Sequence, residues 1–569
     1  MNNFKIAVLF RDIAGILQIK GDNPFRIRAY ERAAQNLERL TGDIEHYIKN
    51  DSLTGIPGIG KDLGDKIIEF TRTGRIKTFE DLKKSIPEGV LELLSIPSVG
   101  PKTAGLLYEK LGIKNIAGLE KAIQGKKLAG ISGIKQKTID AILEGIELIN
   151  KSKERMSLSK AIHLADEFIA SLQILPEVKK ISEAGSLRRR KETVRDIDIL
   201  IVSPSPRPVM NTFVELPMAA NISAHGDTKS SVRTHDGIQV DCRVVEEKSF
   251  GAALLYFTGS KNFNIKLRQI AVKKGLKLNE YGAFKNERCI AGKTEEELFK
   301  LLGMDYVEPE LREDNGEIEL ALRSALPKLL DASQLNGDLH THSTWSDGAD
   351  SVREMAEAAR ERGYSYIAIT DHSHSLKIAR GLSVVDLKKK KKEIETVNRM
   401  FKDFWILYGT EVDIDSEGRL DYRDEILKEF DVVVAAVHSG FKQSKEQLTR
   451  RIVKACGNKY VHIIAHPTGR LWGARDAYAV DMEEIMKAAS DTNTHLEINS
   501  SPDRLDLNDR NCRRAKELGI KLAVNTDAHA VKQLELIRLG VMTARRGWLE
   551  AKDVINTLSV DGLMKILRK

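Results

Sequence analysis

The hydrophobic and polar positions of the first quarter of the chain repeat with helical spacing. Apolar residues recur three and four positions apart from residue 4 to about residue 148, as at Ile6, Phe10 and Ile13. Strand-like runs begin only beyond this region, at residues 178–181, 197–202 and 238–245. The pattern predicts an all-helical front followed by an α+β region.

The C-terminal part of the chain repeats a different unit, a short apolar run that ends in His, Asp or Glu and is followed by a helix. These runs lie at residues 337–340, 366–372, 406–411, 432–438, 462–466, 495–499 and 521–529. The alternation predicts a parallel α/β barrel of seven strands. In such barrels the chemistry gathers at the C-terminal ends of the strands, where these polar side chains fall. The lysine run at 388–392 is interpreted as a solvated helix face.

Chain length and composition limit the class of protein. A chain of 569 residues is too long for one core and is expected to form several domains. It has no apolar run of about 18 residues and no signal-peptide layout, which predicts a soluble, cytoplasmic protein with no membrane partner. Because C-x-x-C spacing is absent, reduced and buried thiols are expected at Cys242, Cys289, Cys456 and Cys512.

Charge and histidine are distributed unevenly along the chain. Residues 1–300 hold 49 Lys and Arg against 38 Asp and Glu, whereas residues 301–569 hold 41 against 44. A basic first half suits contact with phosphates. Nine of the 13 histidines lie beyond residue 335, so we expect a second, different chemistry in the C-terminal part.

Three aspartates of the α+β region have the arrangement of a two-metal site. Asp196 and Asp198 are one residue apart on a predicted strand, so both side chains point to the same face, and Asp241 lies on another predicted strand. Such a cage of carboxylates suits two Mg²⁺ ions and predicts nucleotidyl transfer.

A turn just upstream of these aspartates has the groups that a triphosphate needs. Gly185 and Ser186 offer backbone N–H groups and a hydroxyl. A guanidinium from Arg188 or Arg189 would supply the cation.

Two glycine-containing loops in the helical front resemble the helix-hairpin-helix motif. Each loop, at 56–60 and at 96–100, lies between helical stretches and is followed by a lysine. In that motif, backbone N–H groups at a helix N-terminus hold a DNA phosphate without reading the sequence. The expected DNA contacts are Gly58, Gly60, Lys61, Val99, Gly100 and Lys102, and residues 131–135 form a weaker third copy.

Further motifs follow the third aspartate. The segment 256–260, Tyr-Phe-Thr-Gly-Ser, precedes Asn264, Arg268 and the segment 279–282. Together with the aspartates and the hairpins, these motifs resemble a family X DNA polymerase over about the first 320 residues. The resemblance implies that Asp196, Asp198 and Asp241 are the catalytic, metal-binding carboxylates. It also implies nucleotide contacts at Gly185, Ser186, Arg189, Tyr256, Phe257, Gly259, Asn264 and Arg268.

Two positions depart from the pattern of this family. Gln239 stands where the mammalian enzymes have an arginine that restrains a catalytic aspartate, which puts the coupling of closure to metal binding in doubt. Lys66 aligns with the lysine that forms a Schiff base with a 5′-deoxyribose phosphate in beta-type enzymes. Because Asp62 replaces another lysine of that lyase site, a lyase nucleophile and a lysine that binds a 5′-phosphate stay equal alternatives for Lys66.

The nine His, Asp and Glu side chains at predicted strand ends resemble the trinuclear metal site of the PHP (polymerase and histidinol phosphatase) domain, which activates water against phosphoesters. The resemblance implies three groups of ligands, with Glu411 bridging two of the ions. The ions would be Mn²⁺ or Zn²⁺, with Fe²⁺ also open. The groups are His340, His342 and Asp527; His438 and His466; and Asp347, His372 and His529.

The two resemblances cover nearly the whole chain, in the order found in the prokaryotic family X DNA polymerases. They imply a monomer that uses dNTPs to fill short gaps in gapped or primed DNA during base excision repair. A metal-dependent 3′ to 5′ exonuclease would lie in the same chain, and AP endonuclease and 3′-phosphatase activities stay open. The expected parts are an N-terminal helical DNA-binding or lyase-like domain (1–90), a helix-hairpin-helix domain (91–150), a nucleotidyltransferase palm (151–250), a nucleotide-selection subdomain (251–318), a linker (319–335) and a distorted (βα)₇ PHP barrel (336–569).

Two other classes of protein remain as alternatives. A template-independent nucleotidyltransferase with an accessory phosphoesterase would share the aspartates, but it would not need the two hairpins or the segment 256–260. An architectural protein that binds DNA ends would keep the hairpins, but it would have no reason to keep twelve metal ligands.

Overall fold

The computed structural model describes residues 2–39, 44–49, 53–56, 58–83, 87–96, 99–125, 127–128, 131, 134, 136–472 and 474–568. These residues form two compact units, one mainly of residues up to Lys153 and the other mainly of residues from Glu154 onwards. Within the described ranges, no helix combines the length and apolar character needed to cross a membrane.

The first unit is helical, as the apolar spacing predicts. Its helices are α1 (Asn2–Ile19), α2 (Pro24–Arg39), α3 (Ile44–Lys49), α4 (Lys61–Thr73), α5 (Lys77–Lys83), α6 (Glu88–Glu92), α7 (Pro101–Leu111), α8 (Ile116–Gln124) and α9 (Gln136–Glu154). Phe10 of α1 and Tyr30 of α2 meet edge to face at 5.4 Å, in an apolar core that α4 completes. Helices α7, α8 and α9 enclose a second core, which also takes Ile16 and Ile19 from α1.

The second unit begins with a palm-like sheet of five strands in the order β2-β4-β7-β6-β5. Its strands and those of a short pair beside it are β1 (Met156–Ser157), β2 (Lys180–Glu183), β3 (Thr193–Val194), β4 (Asp196–Val202), β5 (Ala219–His225), β6 (Lys229–Thr234) and β7 (Gln239–Val245). Ile197, Ile199 and Ile201 of β4 alternate into an apolar core under the helices α10 (Leu158–Gln173) and α12 (Pro206–Glu215). The hairpin of β5 and β6 was not predicted, because β5 is largely exposed and carries no apolar alternation.

A smaller layer follows the palm. It consists of α13 (Phe250–Thr258), α14 (Lys261–Lys273), β8 (Lys277–Asn279), β9 (Gly282–Lys285), β10 (Arg288–Ala291), α15 (Glu295–Leu301) and α16 (Glu317–Ala321). Cys289 is exposed on β10, an edge strand of the sheet β10-β9-β8. The expectation of a buried thiol is therefore wrong for Cys289, whereas Cys242, Cys456 and Cys512 are buried and form no disulfide.

The predicted seven-stranded parallel barrel is confirmed. Its strands are neighbours in chain order: β11 (Gly337–Thr341), β12 (Tyr366–Ile369), β13 (Trp405–Asp413), β14 (Val432–Ala436), β15 (Ile463–Ile464), β16 (His495–Asn499) and β17 (Leu522–Asn525). A parallel bridge between Thr341 and Ala528 brings the end of the last strand back to the first. The surrounding helices are α17 (Val352–Glu361), α18 (Val384–Asn398), α19 (Asp424–Leu427), α20 (Lys445–Cys456), α21 (Met482–Thr492), α22 (Asp509–Glu517), α23 (Ile537–Arg546) and α24 (Val560–Leu567).

The barrel shares apolar cores with the polymerase-like layers before it. Leu505 and Leu539 belong to the core of the palm, and Trp548 belongs to the core of the following layer. Between the layers and the barrel, Leu330 and Leu335 are buried in the barrel core. Leu329 of the same segment belongs to the core of the layer that follows the palm, so the segment predicted as a linker packs on both sides, and the exact domain boundaries stay a prediction.

Candidate active sites

The three palm aspartates lie on adjacent parallel strands. In the register of β4 and β7, Asp198 is the partner of Asp241, and Asp196 is the partner of Gln239. Burial, and then the carboxylates of Asp196 and Asp241, raise the pKa of Asp198 to about 6. A raised carboxyl pKa in a cluster of like charges is typical of a site that binds a cation.

The Gly-Ser turn lies directly against this cluster. Gly185 has a φ of 63° and begins the short helix α11 (Gly185–Arg188). A Cβ at this position would lie 2.3 Å from Oδ2 of Asp198, so only glycine fits. The turn therefore brings the backbone of Gly185 against the Asp198 carboxylate, and the contact of Ser186 with a triphosphate stays a prediction.

Gln239 contacts a catalytic candidate through its side chain. Its Nε2 donates a hydrogen bond of 2.9 Å to Oδ1 of Asp241, two residues along the same strand. The amide thus restrains Asp241 without bringing a positive charge to the site.

The two candidate arginines both have protein partners. Arg188 forms a forked ion pair with Glu295, with Nη1 and Nη2 donating at 2.9 and 2.7 Å. Arg189 donates from Nε to Glu313 at 3.1 Å and from Nη1 to the carbonyl of Thr258. Arg188 is therefore an anchor between the palm and α15, and Arg189 stays the predicted triphosphate contact.

Several of the predicted nucleotide contacts line one cleft. Tyr256, Asn264 and Arg268 meet there with Asn279. The Asn264 side chain donates 2.7 Å to the carbonyl of Tyr256, and Nε of Arg268 donates 3.3 Å to the carbonyl of Asn264. These hydrogen bonds lie within the protein, and the contacts of the three residues with a nucleotide stay a prediction.

The remaining two predicted contacts, Phe257 and Gly259, follow Tyr256 along the chain. The Phe257 ring packs edge to face on Tyr256 at 5.2 Å and lies 4.5 Å under the Arg243 guanidinium. Gly259 has a φ of 72°, and a Cβ there would lie 3.1 Å from Nη1 of Arg189. Glycine thus allows the close approach of Arg189 to this turn.

In both predicted hairpins the described residues make the same backbone hydrogen bond just before a helix begins, whereas residues 57, 97 and 98 lie outside the described residues. The N–H of Ile59 donates 3.0 Å to Ile56, and the N–H of Val99 donates 2.8 Å to Ile96. Gly60 and Gly100 are the extended residues immediately before α4 and α7. Gly58 has a φ of 78°, and Lys61 and Lys102 are exposed at the two helix starts. Part of the third copy, at residues 132, 133 and 135, lies outside the described residues.

Lys66 is held within its own helix. Its Nζ lies 2.5 Å from Oδ1 of Asp62, one turn earlier, and the Lys66 side chain is 13% exposed. Burial raises the pKa of the nearby Tyr30 hydroxyl, and the Lys66 charge opposes this rise. The lyase role of Lys66 stays a prediction.

The nine barrel side chains meet at the C-terminal ends of the strands. They include three sets of side chains, and within each set the possible ligand atoms all lie within 4.8 Å of one another. Nε2 of His438 and of His466 also lie 3.3 and 3.1 Å from Oε1 of Glu411. The sets are His340, His342 and Asp527; His342, Asp347, His372 and His529; and His372, Glu411 and His438.

The chemistry of this cluster fits metal ions. Seven of its buried nitrogen and oxygen atoms have no hydrogen-bond partner: Nε2 of His340, Nδ1 and Nε2 of His342, Oδ1 of Asp347, Nδ1 of His372, Oε2 of Glu411 and Nδ1 of His466. Unpaired buried polar atoms are costly, and coordination would satisfy them. Although burial opposes a charge on His438, Glu411 and Asp413 raise its pKa to about 10, so the site attracts positive charge.

Acidic residues behind the histidines orient their rings. Glu497 accepts from Nδ1 of His340 at 2.7 Å, and Asp413 accepts from Nδ1 of His438 at 2.5 Å. Such contacts fix the ring and leave Nε2 free for a metal. Neither residue was predicted, although Glu497 lies within the predicted run 495–499 and Asp413 lies two residues beyond the predicted run 406–411.

The expectation of a solvated lysine run is wrong for Lys390. Its side chain is fully buried, and its Nζ lies 2.9 Å from Asp371 and donates to the carbonyls of Ile369 and Gly409. The helix α18 turns this one lysine inward, while Lys388 and Lys389 are exposed and Lys391 is partly exposed.

An arginine that the sequence analysis did not single out lies beside the cluster. Nε of Arg504 is 3.6 Å from Oδ2 of Asp527, and the Arg504 side chain is 16% exposed. Its charge is close enough to lower the pKa of His466, after burial. A cation beside a cationic metal site is favourable once an anion, such as a phosphate, binds there.

Several protein families match this chain in separate regions. The matches are the helix-hairpin-helix domain at residues 1–76, the SAM-like helix-hairpin-helix tandem at residues 90–147, the DNA polymerase beta thumb at residues 253–313 and the PHP domain at residues 338–501.

Curated proteins match the chain as a whole and in parts. The DNA polymerase/3′-5′ exonuclease PolX of Bacillus subtilis is 40% identical over 576 residues, which cover 100% of both chains. DNA polymerase lambda of Rattus norvegicus is 26% identical over 55% of this chain and 56% of its own length. A probable phosphatase of Thermoanaerobacter sp. (strain X514) is 36% identical over 39% of this chain and 89% of its own length.

Proposed function

Because the chain belongs to the PolX family of DNA polymerase/3′-5′ exonucleases, we propose that it fills short gaps in DNA during base excision repair and trims 3′ ends with the same chain. The observation that carries the polymerase half is the register that aligns Asp198 with Asp241. The nuclease half rests on the nine-ligand cluster at the barrel mouth.

In the palm, Asp196, Asp198 and Asp241 would hold two Mg²⁺ ions. Those ions, when bound, lower the pKa of the primer 3′-hydroxyl and neutralise the pyrophosphate that leaves. Ser186 and the N–H groups of its turn orient the triphosphate against the carboxylates, and Arg189 neutralises it. Tyr256 and Phe257 line the sugar, while Asn264 and Arg268 face the base and the template.

In the barrel, the nine ligands would hold three Mn²⁺ or Zn²⁺ ions. Those ions, when bound, activate water for attack on a phosphodiester. Glu497 and Asp413 keep the rings of His340 and His438 in a ligating orientation. Arg504 contacts the phosphate of the 3′-terminal nucleotide and so selects for an anionic substrate.

The substrate is gapped or primed DNA, together with dNTPs. The paired hairpins, with N–H groups and lysines at the helix starts, suit two phosphates of the backbone. We expect the protein to act as a monomer.

A gapped-duplex assay with and without dNTPs tests this function. Asp198→Ala should abolish nucleotide incorporation and leave degradation of single strands intact. His340→Ala combined with His342→Ala should do the reverse and should lower the metal content of the purified protein. Asp236→Ala and His374→Ala, both exposed, are the matched controls.

Three outcomes would contradict the proposal. Loss of both activities from either change would refute separate sites. Extension that needs no template would favour the template-independent transferase. Undiminished degradation by the double variant would remove the nuclease from the barrel.

A further inference from the structure

We propose that Arg546, a barrel residue at the end of α23, is a positioning residue for the nucleotide site of the palm. Its Nη1 donates 2.6 Å to the carbonyl of Arg189 and 3.2 Å to Oε1 of Glu313. The proposal rests on the triphosphate role of Arg189 given above.

Several further hydrogen bonds hold the Arg546 guanidinium in this position. Arg546 is 7% exposed, and its Nε and Nη2 donate to Oδ2 of Asp509 at 2.9 and 2.6 Å. A third contact runs from Nη1 to the carbonyl of Glu310 at 3.3 Å. Asp509 thus fixes the guanidinium from the barrel side, and the carbonyl of Arg189 accepts a hydrogen bond from it on the palm side.

Glu313 connects the two arginines. The same Oε1 atom accepts from Nε of Arg189 at 3.1 Å and from Nη1 of Arg546 at 3.2 Å. Lys191 lies 3.4 Å from this oxygen as well. A triphosphate that approaches Arg189 must therefore compete with Glu313 for the guanidinium.

Arg546 determines how strongly Glu313 pairs with Arg189. Arg546 and Arg189 both donate to the Glu313 carboxylate, so the positive charge of Arg546 weakens the attraction between Glu313 and Arg189. Its hydrogen bond to the Arg189 carbonyl also fixes the backbone from which the side chain extends toward Thr258. Without Arg546, Glu313 would pair more tightly with Arg189, and the nucleotide would bind less well.

The test is steady-state gap filling on a gapped duplex with the full-length protein. Arg546→Gln should raise the KM for dNTP roughly tenfold, the effect of one charge-assisted hydrogen bond, with a smaller change in kcat. Exonuclease activity should stay at the parent level, which shows that the barrel is folded. Adding Glu313→Gln should bring the KM back toward the parent value, because the competitor is removed.

Arg545→Gln is the matched control. Arg545 bridges the same two parts of the chain, donating 2.6 Å to Glu310 and 3.2 Å to the carbonyl of Leu330. It contacts neither Arg189 nor Glu313, so its loss should leave the KM for dNTP unchanged. An equal rise in KM for this variant would reduce Arg546 to a structural contact and overturn the proposal.

Two further variants separate the possible failures. Arg189→Gln should raise the KM for dNTP; an unchanged KM would refute the triphosphate role and the positioning role together. A raised KM for Arg189→Gln with a parental KM for Arg546→Gln would refute the positioning role alone. Should Arg546→Gln not fold, Arg546→Lys keeps the charge and loses the fork, and a parental KM for it would overturn the backbone part of the proposal.

Discussion

The ammonium of Lys390 lies 2.9 Å from the carboxylate of Asp371, and both side chains have no solvent exposure. Although burial opposes the charge, Lys390 lowers the pKa of Asp371. Asp371 in turn accepts from the N–H of Ser343 at 2.7 Å and from the hydroxyl of Ser346 at 2.7 Å. The pair therefore holds the loop between the ligands of β11 and Asp347.

Lys390→Met should destabilise the barrel by about 3 to 5 kcal/mol, because it leaves a buried carboxylate without its partner. Exonuclease activity should fall with the loosened loop. Lys391→Met is the matched control, since its pair with Glu429 is exposed on both sides and should contribute less than about 1 kcal/mol. Urea unfolding and single-strand degradation check both; equal behaviour of the two variants would contradict the prediction.

Gly185→Ala should reduce nucleotide incorporation by roughly 100-fold, the cost of moving a reacting group by about 1 Å. The added Cβ would displace the Asp198 carboxylate, which lies 2.3 Å away. Gly237→Ala has a comparable φ of 77° but open space around it, so it measures the backbone strain alone. Single-turnover incorporation on a gapped duplex compares the two, and a similar loss in both would assign the effect to strain.

Arg504→Gln should slow 3′ to 5′ degradation by roughly tenfold, since a charge-assisted contact to phosphate is lost. Inorganic phosphate should also inhibit the variant less than the parent. Polymerisation should not change. Arg510→Gln, an exposed position on α22, is the control. An unaltered inhibition constant for phosphate in Arg504→Gln would exclude Arg504 from the substrate contact.

Glu295→Gln should destabilise the protein in a way that depends on pH. Burial opposes its charge, but Arg312 and then Arg188 lower the pKa of Glu295 to about 2, below its ordinary value of 4.5. A depressed carboxyl pKa stabilises the fold fully above about pH 4.5, and the contribution is lost as pH falls toward about 2.

At neutral pH the ionised Glu295 contributes about 3 kcal/mol by this linkage. Urea midpoints of parent and variant should therefore differ most at pH 7, and the difference should shrink as the pH falls from about 4.5 toward 3. Glu296→Gln, exposed on the same helix, should show no such convergence. A constant difference for Glu295→Gln across this range would mean that its ion pairs do not determine the effect.

Apolar spacing and strand-end chemistry were enough to predict the helical front and the barrel, and the nine predicted side chains do meet at its strand ends, while their role as metal ligands stays a prediction. Residues that act through other residues were missed. Glu497 and Lys390 carry no motif, and only the packed barrel shows that they contact His340 and Asp371. The hairpin of β5 and β6 was missed because exposed strands lack apolar alternation. Long-range partners such as Arg546 and Arg189 are 357 positions apart, beyond any local pattern.

Leu505, Leu539 and Trp548 come from the barrel yet fill cores that belong to the layers before it. A chain shortened after those layers would expose apolar surface to water and lose its anchors. Exchange of the metal ligands would therefore silence the barrel and leave these cores intact, whereas truncation would open them. In this chain the barrel is thus also a structural support for the layers that precede it.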